Sequence, residues 1–244
     1  MHSNVRYIGI NQRVPFEVLD EAIQAYLESG IISKETILRN MLEYTAGVNR
    51  AGKASKYVMQ ILSRNGEILT RLKASLKDAP YATLRLDERK ALCLCLICMT
   101  YPITYDLLTA LAQGFKVQDQ INKKFISEKV MALYGSNRTV DVAIDALLPM
   151  IIELNTIKRD KVSLYSMGKG CKVSTKFIEE LIIYTDIKLS GSKSILIDDL
   201  THRPWYSYFK TSTGNPGQFS KLIVRKESAV GRGYLTLAKG KNDY

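Results

Sequence analysis

Apolar residues recur every three or four positions through most of the first two-thirds of this chain, and short polar or proline-containing breaks separate the runs. This spacing places the apolar side chains along one side of an α-helix. The run PFEVLDEAIQAYLESG carries them at Phe16, Leu19, Ile23 and Leu27. Gly30 ends this run, and glycine is a common residue just past a helix C-terminus. The pattern predicts a mainly α protein organised as a multi-helix bundle.

Further helices follow, with boundary signals of their own. Ser33 is a predicted N-cap for SKETILRNMLEY, and the loop Thr45–Asn49 leads from it into a second amphipathic helix that ends near Arg64. Pro149 is expected to kink or shorten the last long helix, because proline lacks the N–H that helical hydrogen bonding needs. The remaining predicted helices are Gly66–Lys77, Asp87–Met99, Ile103–Phe115, Glu128–Gly135 and Thr139–Leu154.

The composition changes near residue 156, where basic and β-favouring residues become frequent. KVSLYS and CKVS flank Gly168 and Gly170, which predicts a small β-hairpin with Lys169 at its turn. A helix over Ser174–Ile187 and short strand-like runs follow towards the C-terminus. We predict a helical domain over residues 1–156 with a helix-turn-helix-like unit, and a smaller basic region over residues 157–244. The second region is expected to contain a wing-like hairpin and a C-terminal extension.

Charge narrows the classes of function. The 244 residues include 35 Lys and Arg against 24 Asp and Glu, which gives a formal net charge of +11 at pH 7. Such an excess fits a polyanionic partner such as nucleic acid, or an anionic membrane surface. No run reaches the roughly 20 apolar residues of a membrane-spanning helix, and the opening residues lack the apolar core of a signal peptide. We expect a cytoplasmic protein without a membrane contact.

The segment NRAGKASKYVMQILSR, Asn49–Arg64, has a polar side on which no acid occurs. The basic residues on this side of the helical period are Arg50, Lys53, Lys56 and Arg64. This side is either a solvated helix face that happens to be basic or a surface that contacts phosphate. Lysine and arginine on one face neutralise DNA phosphates and release counterions, so the second hypothesis predicts salt-sensitive DNA binding.

A helix, a glycine-containing turn and a basic helix form the layout of a helix-turn-helix, whose second helix lies in the major groove of DNA. The predicted loop Thr45–Asn49 is somewhat longer than the usual turn of three or four residues. A winged-helix variant is predicted from Thr139–Leu154 and the hairpin after it, and its lysines either contact the DNA backbone or only confer solubility. The basic residues of this second unit are Lys158, Arg159, Lys161, Lys169 and Lys172.

The cysteines are interpreted as small apolar side chains. Three of them lie in one predicted buried helix and the fourth stands alone, at Cys93, Cys95, Cys98 and Cys171. A structural zinc site usually shows two separated pairs of ligands, and the second pair is missing here. Buried free cysteines are consistent with a reducing compartment. No metal site is predicted.

Signals for catalysis are weak. His202 is the one serious candidate for a general base, since His2 lies close to the N-terminus. Two carboxylates and Arg203 accompany His202 in DDLTHRPW, Asp198–Trp205. Such a local group more often ends a helix and anchors a loop through its indole than performs acid–base chemistry. We predict neither a catalytic residue nor a cofactor.

Two segments resemble a known family. AYLESGIISKETILRNMLEYTAGVNRAGKASKYVMQILSRNGEILTRL, Ala25–Leu72, is similar to the opening of BrxA-like proteins, which are small core components of bacteriophage-exclusion (BREX) phage-defence systems. In that family a basic segment of the type R-S-x-x-T-A-K-R runs into a long helix. RAGKASKYVMQILSR stands in its place, with Arg50, Lys56 and Arg64 on matching positions.

The second segment, ERKALCLCLICMTYPITYDLL at Glu88–Leu108, resembles the next block of the family, a buried helix, Tyr-Pro and an apolar helix. Gly52 and Ala54 depart from the small hydroxyl and alanine positions of the family's basic segment. The residues beyond about Lys188 have no counterpart in the family.

The resemblance implies an all-helical protein with helix-turn-helix-like units beside basic surfaces that bind duplex DNA. It implies a DNA-facing role for Arg50, Lys53, Lys56 and Arg64, with Lys158, Arg159 and Lys161 flanking a second unit. We therefore predict a non-enzymatic DNA-binding component that works with other subunits of a phage-defence machinery. The alternatives are a scaffold that docks an acidic partner subunit, an RNA-binding helical bundle, and an enzyme acting through His202.

Overall fold

Most of the chain is helical, as the spacing of apolar residues predicts. The computed structural model describes residues 7–77, 79–212, 215–229 and 231–238. The α-helices are α1 Phe16–Ser29, α2 Lys34–Tyr44, α3 Val48–Arg64, α4 Gly66–Leu76, α5 Leu86–Thr100, α6 Ile103–Phe115, α7 Lys123–Tyr134, α8 Arg138–Glu153 and α9 Lys176–Ser190. Short 3-10 helices occupy Tyr81–Thr83, Ile197–His202 and Pro204–Tyr208. The strands are β1 Gln120–Asn122, β2 Ile157–Lys161, β3 Leu164–Met167, β4 Cys171–Val173, β5 Ile195–Leu196, β6 Phe209–Thr211, β7 Ile223–Lys226 and β8 Tyr234–Leu237.

The first helices begin and end at the predicted signals. Gly30 closes α1 in the left-handed conformation, with a φ of 74°, and its N–H donates to the carbonyl of Tyr26 at 2.8 Å. Ser33 caps α2, because its Oγ accepts the N–H of Thr36 at 3.2 Å. Both caps satisfy backbone groups that a helix end otherwise leaves unpaired. These two boundary predictions are confirmed.

One other boundary differs from the prediction. α3 begins at Val48, so only Thr45–Gly47 separate it from α2, and the predicted loop Thr45–Asn49 was too long. Gly47 is the N-cap of α3, a position where glycine is accepted. α8 contains Pro149 and continues to Glu153, one residue before the predicted end at Leu154.

α5 lies at the centre of the protein and is buried on all sides. The side chains from Ala91 to Cys98 are at most 2% exposed. All four cysteines are buried and free, and burial raises the pKa of Cys95 and of Cys171 to about 12. Their thiols therefore stay protonated at neutral pH and pack as apolar groups.

Among the described residues, no single helix is long and apolar enough to cross a membrane. α5 and α6 reach the length and apolar composition of a membrane-spanning helix only when they are taken together, and the two helices are bent by 116° relative to each other.

A small antiparallel sheet follows α8. β2 and β3 form a hairpin whose turn lies at Val162 and Ser163, and β1 pairs with the other side of β3, so the strand order is β1-β3-β2. Ser163 adopts a positive φ of 59°, which the tight turn requires. A hairpin therefore follows α8, but it is not the predicted one, because β2 and β3 form it and its turn is at residues 162–163.

The predicted hairpin turn at Gly168–Gly170 is wrong. β3 ends at Met167, and β4 does not pair with it; β4 instead pairs in parallel with β6. Lys169 lies in the connection between β3 and β4, away from any hairpin turn.

Gly168 is needed for a close approach of two backbone segments. Its N–H donates to the carbonyl of Thr156 at 2.9 Å, and a Cβ at this position would lie 2.3 Å from the carbonyl oxygen of Asn155. The backbone must shift to admit any side chain there. This packing explains why glycine occurs here without a turn.

Replacing Gly168 by Ala is expected to destabilise the protein by about 2 kcal/mol, because overpacking against backbone is costly. Replacing Gly52 by Ala is the matched control, since nothing lies within 4 Å of a Cβ added there and the residue is helical. Alanine in a helix interior is expected to stabilise by about 0.5–1 kcal/mol. Urea unfolding of the two variants tests the opposite signs, and equal stabilities would contradict the close-approach explanation.

Contacts cross the predicted boundary at residue 156. Buried apolar side chains from both sides form one connected cluster, in which α5 packs against α9 and β4. Towards the C-terminus the sheet β5-β8-β7 packs on α9. Buried Glu180 of α9 accepts the N–H groups of Gly217, Gln218 and Phe219 at 2.8–3.0 Å, which fixes the segment before β7. The division into residues 1–156 and 157–244 stays a prediction.

Candidate nucleic-acid interface

The first basic group lies in the N-terminal half of α3. Arg50, Lys53 and Lys56 are exposed, while Ala51 and Ala54 between them are buried against the helices beneath. α3 packs on α1, α2 and α5, which accounts for its buried side. The three cations therefore project from one side of α3, directly after the turn Thr45–Gly47.

These three cations are not neutralised within the described part of the chain. None of the ion pairs among the described residues involves Arg50, Lys53 or Lys56, and the first turn of α3 holds no acid. The N-terminal end of a helix also carries a partial positive charge from its aligned peptide dipoles. The beginning of α3 is thus a locally positive surface open to solvent.

The C-terminal half of the same side is partly used for packing. Tyr57 donates its OH to Asn11 Oδ1 at 2.7 Å, and Gln60 Oε1 accepts the OH of Tyr101 at 2.8 Å. Arg64 is exposed, and its Nη1 donates to the carbonyl of Thr100 at 3.3 Å. The four predicted residues of α3 therefore separate into three cations without an ion pair among the described residues and one, Arg64, whose side chain also donates to the backbone of the protein.

The hairpin β2–β3 carries the second basic group. Lys158, Arg159 and Lys161 are exposed on β2. Val162, in the turn, is 80% exposed. Lys158 pairs with Asp160 at 3.4 Å, and Arg159 Nε donates to the carbonyl of Lys161 at 3.3 Å. This group is therefore less free than the one on α3, although all three cations remain accessible.

Lys169 and Lys172 lie apart from the hairpin turn. Lys169 is exposed in the connection between β3 and β4, and Lys172 is exposed on β4. The backbone N–H of Lys172 donates to Asp87 Oδ2 at 3.1 Å, so β4 is fixed to the start of α5. The structure thus places these two lysines on a different element from Lys158, Arg159 and Lys161.

The helices α7 and α8 form a pair that precedes the hairpin β2–β3. The sequence predicted only part of this pair. The turn Gly135–Asn137 joins α7 to α8, and Asn137 Oδ1 accepts the N–H groups of Thr139 and Val140 at 2.9 and 3.2 Å. α7 begins five residues before the predicted start at Glu128. Arg138 is exposed at the first position of α8 and was not among the predicted site residues. Asparagine is a common N-cap residue, so Asn137 was the signal in the sequence that could have placed Arg138 at the start of α8.

The DDLTHRPW segment is used mainly for structure. Arg203 pairs with buried Asp186, and the indole N–H of Trp205 donates to the carbonyl of Ile182 at 3.0 Å. His202 is exposed at the end of a 3-10 helix, where its carbonyl accepts from Lys116 Nζ at 3.1 Å. Within the described ranges no three His, Cys, Asp or Glu side chains are grouped so as to hold a metal ion. His2 lies outside the described residues.

Comparisons with protein-family models, with curated proteins and with solved structures find no match for this chain. The resemblance to BrxA-like proteins therefore rests on the two quoted segments and remains a prediction. The functional interpretation depends on the placement and charge of the side chains described above.

Proposed function

We propose that the protein binds double-stranded DNA, mainly through contacts to backbone phosphates and without catalysis. The observation that carries this proposal is the group Arg50, Lys53 and Lys56, which is exposed at the start of α3 without ion-pair partners among the described residues. Phosphate contacts by such cations release counterions and give affinity with little sequence preference.

The arrangement of helices supports this proposal. α1, α2 and α3 pack together, and the turn Thr45–Gly47 between α2 and α3 has the length usual for a helix-turn-helix. In that motif the second helix enters the major groove and its N-terminal residues meet the bases. α3 would be the DNA-contacting helix, and its free cations lie at the appropriate end.

The region from α6 to β3 supports a second contact. A helix, a strand, a helix pair and a hairpin follow one another, and the three strands form one antiparallel sheet. This order fits a winged helix in which β2–β3 is the wing. Lys158, Arg159 and Lys161 would then contact the DNA backbone beside the groove that α8 faces.

The cellular role belongs to the same proposal. If the resemblance to BrxA-like proteins is correct, the protein acts in the cytoplasm as a DNA-binding subunit of a BREX phage-defence machinery. Its partners would be duplex DNA and the other subunits of that machinery. Binding mostly to phosphates suits such a role, because the sequence choice is then made by other subunits.

Charge reversal on α3 is the test of DNA binding. A variant with Arg50→Glu, Lys53→Glu and Lys56→Glu is expected to lose roughly thirtyfold or more in affinity for a labelled duplex at about 50 mM salt. The slope of log K against log salt should also become about 3 units less steep, since about 0.9 counterions are released per phosphate contact. Fluorescence anisotropy over a salt series measures both quantities.

A second triple variant serves as the matched control. Lys73→Glu, Lys77→Glu and Lys193→Glu make the same change in net charge at exposed lysines outside the predicted interface. We expect this control to keep most of the wild-type affinity. Equal losses in the two variants would mean that only net charge matters, and no binding by the wild-type protein at low salt would refute the proposed function.

An acidic protein partner is the second candidate, and one observation favours it. Apolar side chains next to the turn between α2 and α3 are exposed, with 48% of Tyr44 and 68% of Val48 accessible. Neighbouring exposed apolar side chains are a feature of protein-interaction surfaces, where tyrosine is enriched. Competition of labelled duplex DNA with structured RNA and with an acidic polypeptide separates the candidates, because the A-form groove of RNA does not admit α3.

A further inference from the structure

Parallel pairing of β4 with β6 brings together two lysines that are distant in the sequence. The pairs in register are Cys171 with Phe209, Lys172 with Lys210, and Val173 with Thr211. Directly opposed residues of a ladder point to the same side of the sheet, and neighbouring strands lie about 4.8 Å apart. Lys172 and Lys210 therefore stand next to each other.

Both lysines point to solvent. Cys171 and Phe209, the preceding residues of the two strands, are buried, whereas Lys172 and Lys210 are exposed. Two like charges directly opposed on a sheet repel each other and weaken the pairing of the strands.

Neither lysine of the pair takes part in an ion pair among the described residues. The nearby carboxylates of Asp87 and Glu179 accept hydrogen bonds from neutral groups instead. Asp87 Oδ2 accepts the backbone N–H of Lys172, and Asp87 Oδ1 accepts a hydrogen bond from Asn155 Nδ2 at 3.2 Å. Glu179, on the adjoining helix, accepts both the N–H and the hydroxyl of Ser212 at 2.7 and 2.6 Å.

A third exposed lysine precedes the pair along the chain. Lys169 is exposed in the connection that leads into β4. Exposed positive charge therefore extends from the strand pair into the segment before β4.

We propose that Lys172 and Lys210 together bind one backbone phosphate of the DNA, and that this strand pair is a further contact surface of the protein. The inference rests on the proposed function and adds Lys210 to the DNA-binding residues. A backbone phosphate placed between the two ammonium groups carries one negative charge, which offsets one of their two positive charges and reduces their repulsion. Lysine contacts a phosphate as a point charge, so the contact is independent of base sequence.

Single and double variants test the pair. Lys172→Gln and Lys210→Gln are each expected to weaken DNA binding, and in the double variant the slope of log K against log salt is expected to fall by about 1, because the two lysines share one phosphate contact. Lys73→Gln, at an exposed lysine of α4, is the matched control and should leave the slope unchanged. Anisotropy of a labelled duplex gives the slopes, and thermal unfolding is measured on the same samples.

The affinity for DNA and the midpoint of thermal unfolding are expected to respond differently to these substitutions. Removing one of two repelling charges should leave the midpoint of thermal unfolding unchanged or raise it, while the affinity for DNA falls. A slope in the double variant equal to that of Lys73→Gln, with wild-type binding intact, would overturn the phosphate pair and leave the proposed function in place. A lower unfolding midpoint together with lower affinity would overturn it as well, since the lysines would then act through folding. A wild-type protein without DNA binding would overturn both proposals.

Discussion

Replacing Asp186 by Asn is expected to lower the free energy of unfolding by about 4 kcal/mol, because it leaves the buried end of Arg203 without its partner. The Asp186 side chain is almost completely buried in α9 and pairs with Nε and Nη2 of Arg203. It also accepts the OH of Tyr105 at 2.5 Å. Although burial lowers the pKa of Arg203, the hydrogen bond to Asp186 and the negative charge of Asp186 together outweigh it and raise that pKa. Urea unfolding at neutral pH gives the stability difference.

The consequence extends to the C-terminal segment. Arg203 precedes the 3-10 helix Pro204–Tyr208, in which buried Trp205 packs on the ring of Tyr105 with the ring centroids 5.4 Å apart. That helix leads directly into β6, which carries Lys210. Loss of the Asp186–Arg203 pair should therefore also loosen β6, which hydrogen exchange of its amides measures.

Two further variants make the Asp186 prediction specific. Asp198→Asn changes a half-exposed carboxylate whose nearest ion-pair distance, to Arg232, is 3.9 Å, and it should cost less than about 1 kcal/mol. The double variant Asp186→Leu with Arg203→Met removes both charges and should recover much of the loss, as replacing a whole buried pair often does. A loss below about 1 kcal/mol in Asp186→Asn would contradict the prediction.

Replacing Glu88 by Gln is expected to cost about 3 kcal/mol at neutral pH. Glu88 is buried near the start of α5, and its Oε1 accepts the N–H groups of Ser174 and Thr175 at 3.0 and 2.9 Å. Both hydroxyls donate to the same oxygen, and Oε2 accepts the N–H of Arg85 at 3.2 Å. One carboxylate thus joins the beginning of α5 to the beginning of α9. A glutamine has one acceptor oxygen and no charge, so it cannot hold this set.

The effect of Glu88 depends on pH in a defined direction. Burial by itself raises the pKa of Glu88, but the hydrogen bonds from Ser174, Thr175 and Arg85 outweigh it and lower the pKa from 4.5 to about 2. A carboxyl group with a lower pKa in the folded state stabilises the protein above its unfolded pKa. The stabilisation is therefore complete above about pH 4.5 and is lost as the pH falls from 4.5 to 2.

Unfolding at two pH values checks this prediction. The difference between wild type and Glu88→Gln should be largest at pH 7 and should narrow as the pH falls towards 3, because Glu88 then binds a proton in the unfolded chain while it is still ionised in the folded protein. Glu67→Gln is the control, since Glu67 is 77% exposed and its pair with Arg71 lies within one helix. A constant difference at both pH values would show that Glu88 does not act through its charge.

Part of the proposed interface could be predicted from the sequence. The exposed side of α3 follows from its helical period, so Arg50, Lys53 and Lys56 are exposed as expected. The partial engagement of Arg64 could not be predicted, since its partner Thr100 lies at the end of another helix. Lys210 was missed for a similar reason. Its neighbour Lys172 is reached only through a parallel strand pair, and a strand of three residues has too little pattern to be recognised.

The helices of this protein were determined largely by the sequence itself. Their hydrogen bonds join residues four apart, so apolar spacing and caps such as Ser33 and Gly30 lie in the same short segment as the structure they specify. Only the tertiary structure decided the pairing of β4 with β6, the close approach at Gly168 and the contacts of Glu88. Each of these joins backbone or side-chain groups from distant segments, and which segments meet depends on how the buried helix faces pack.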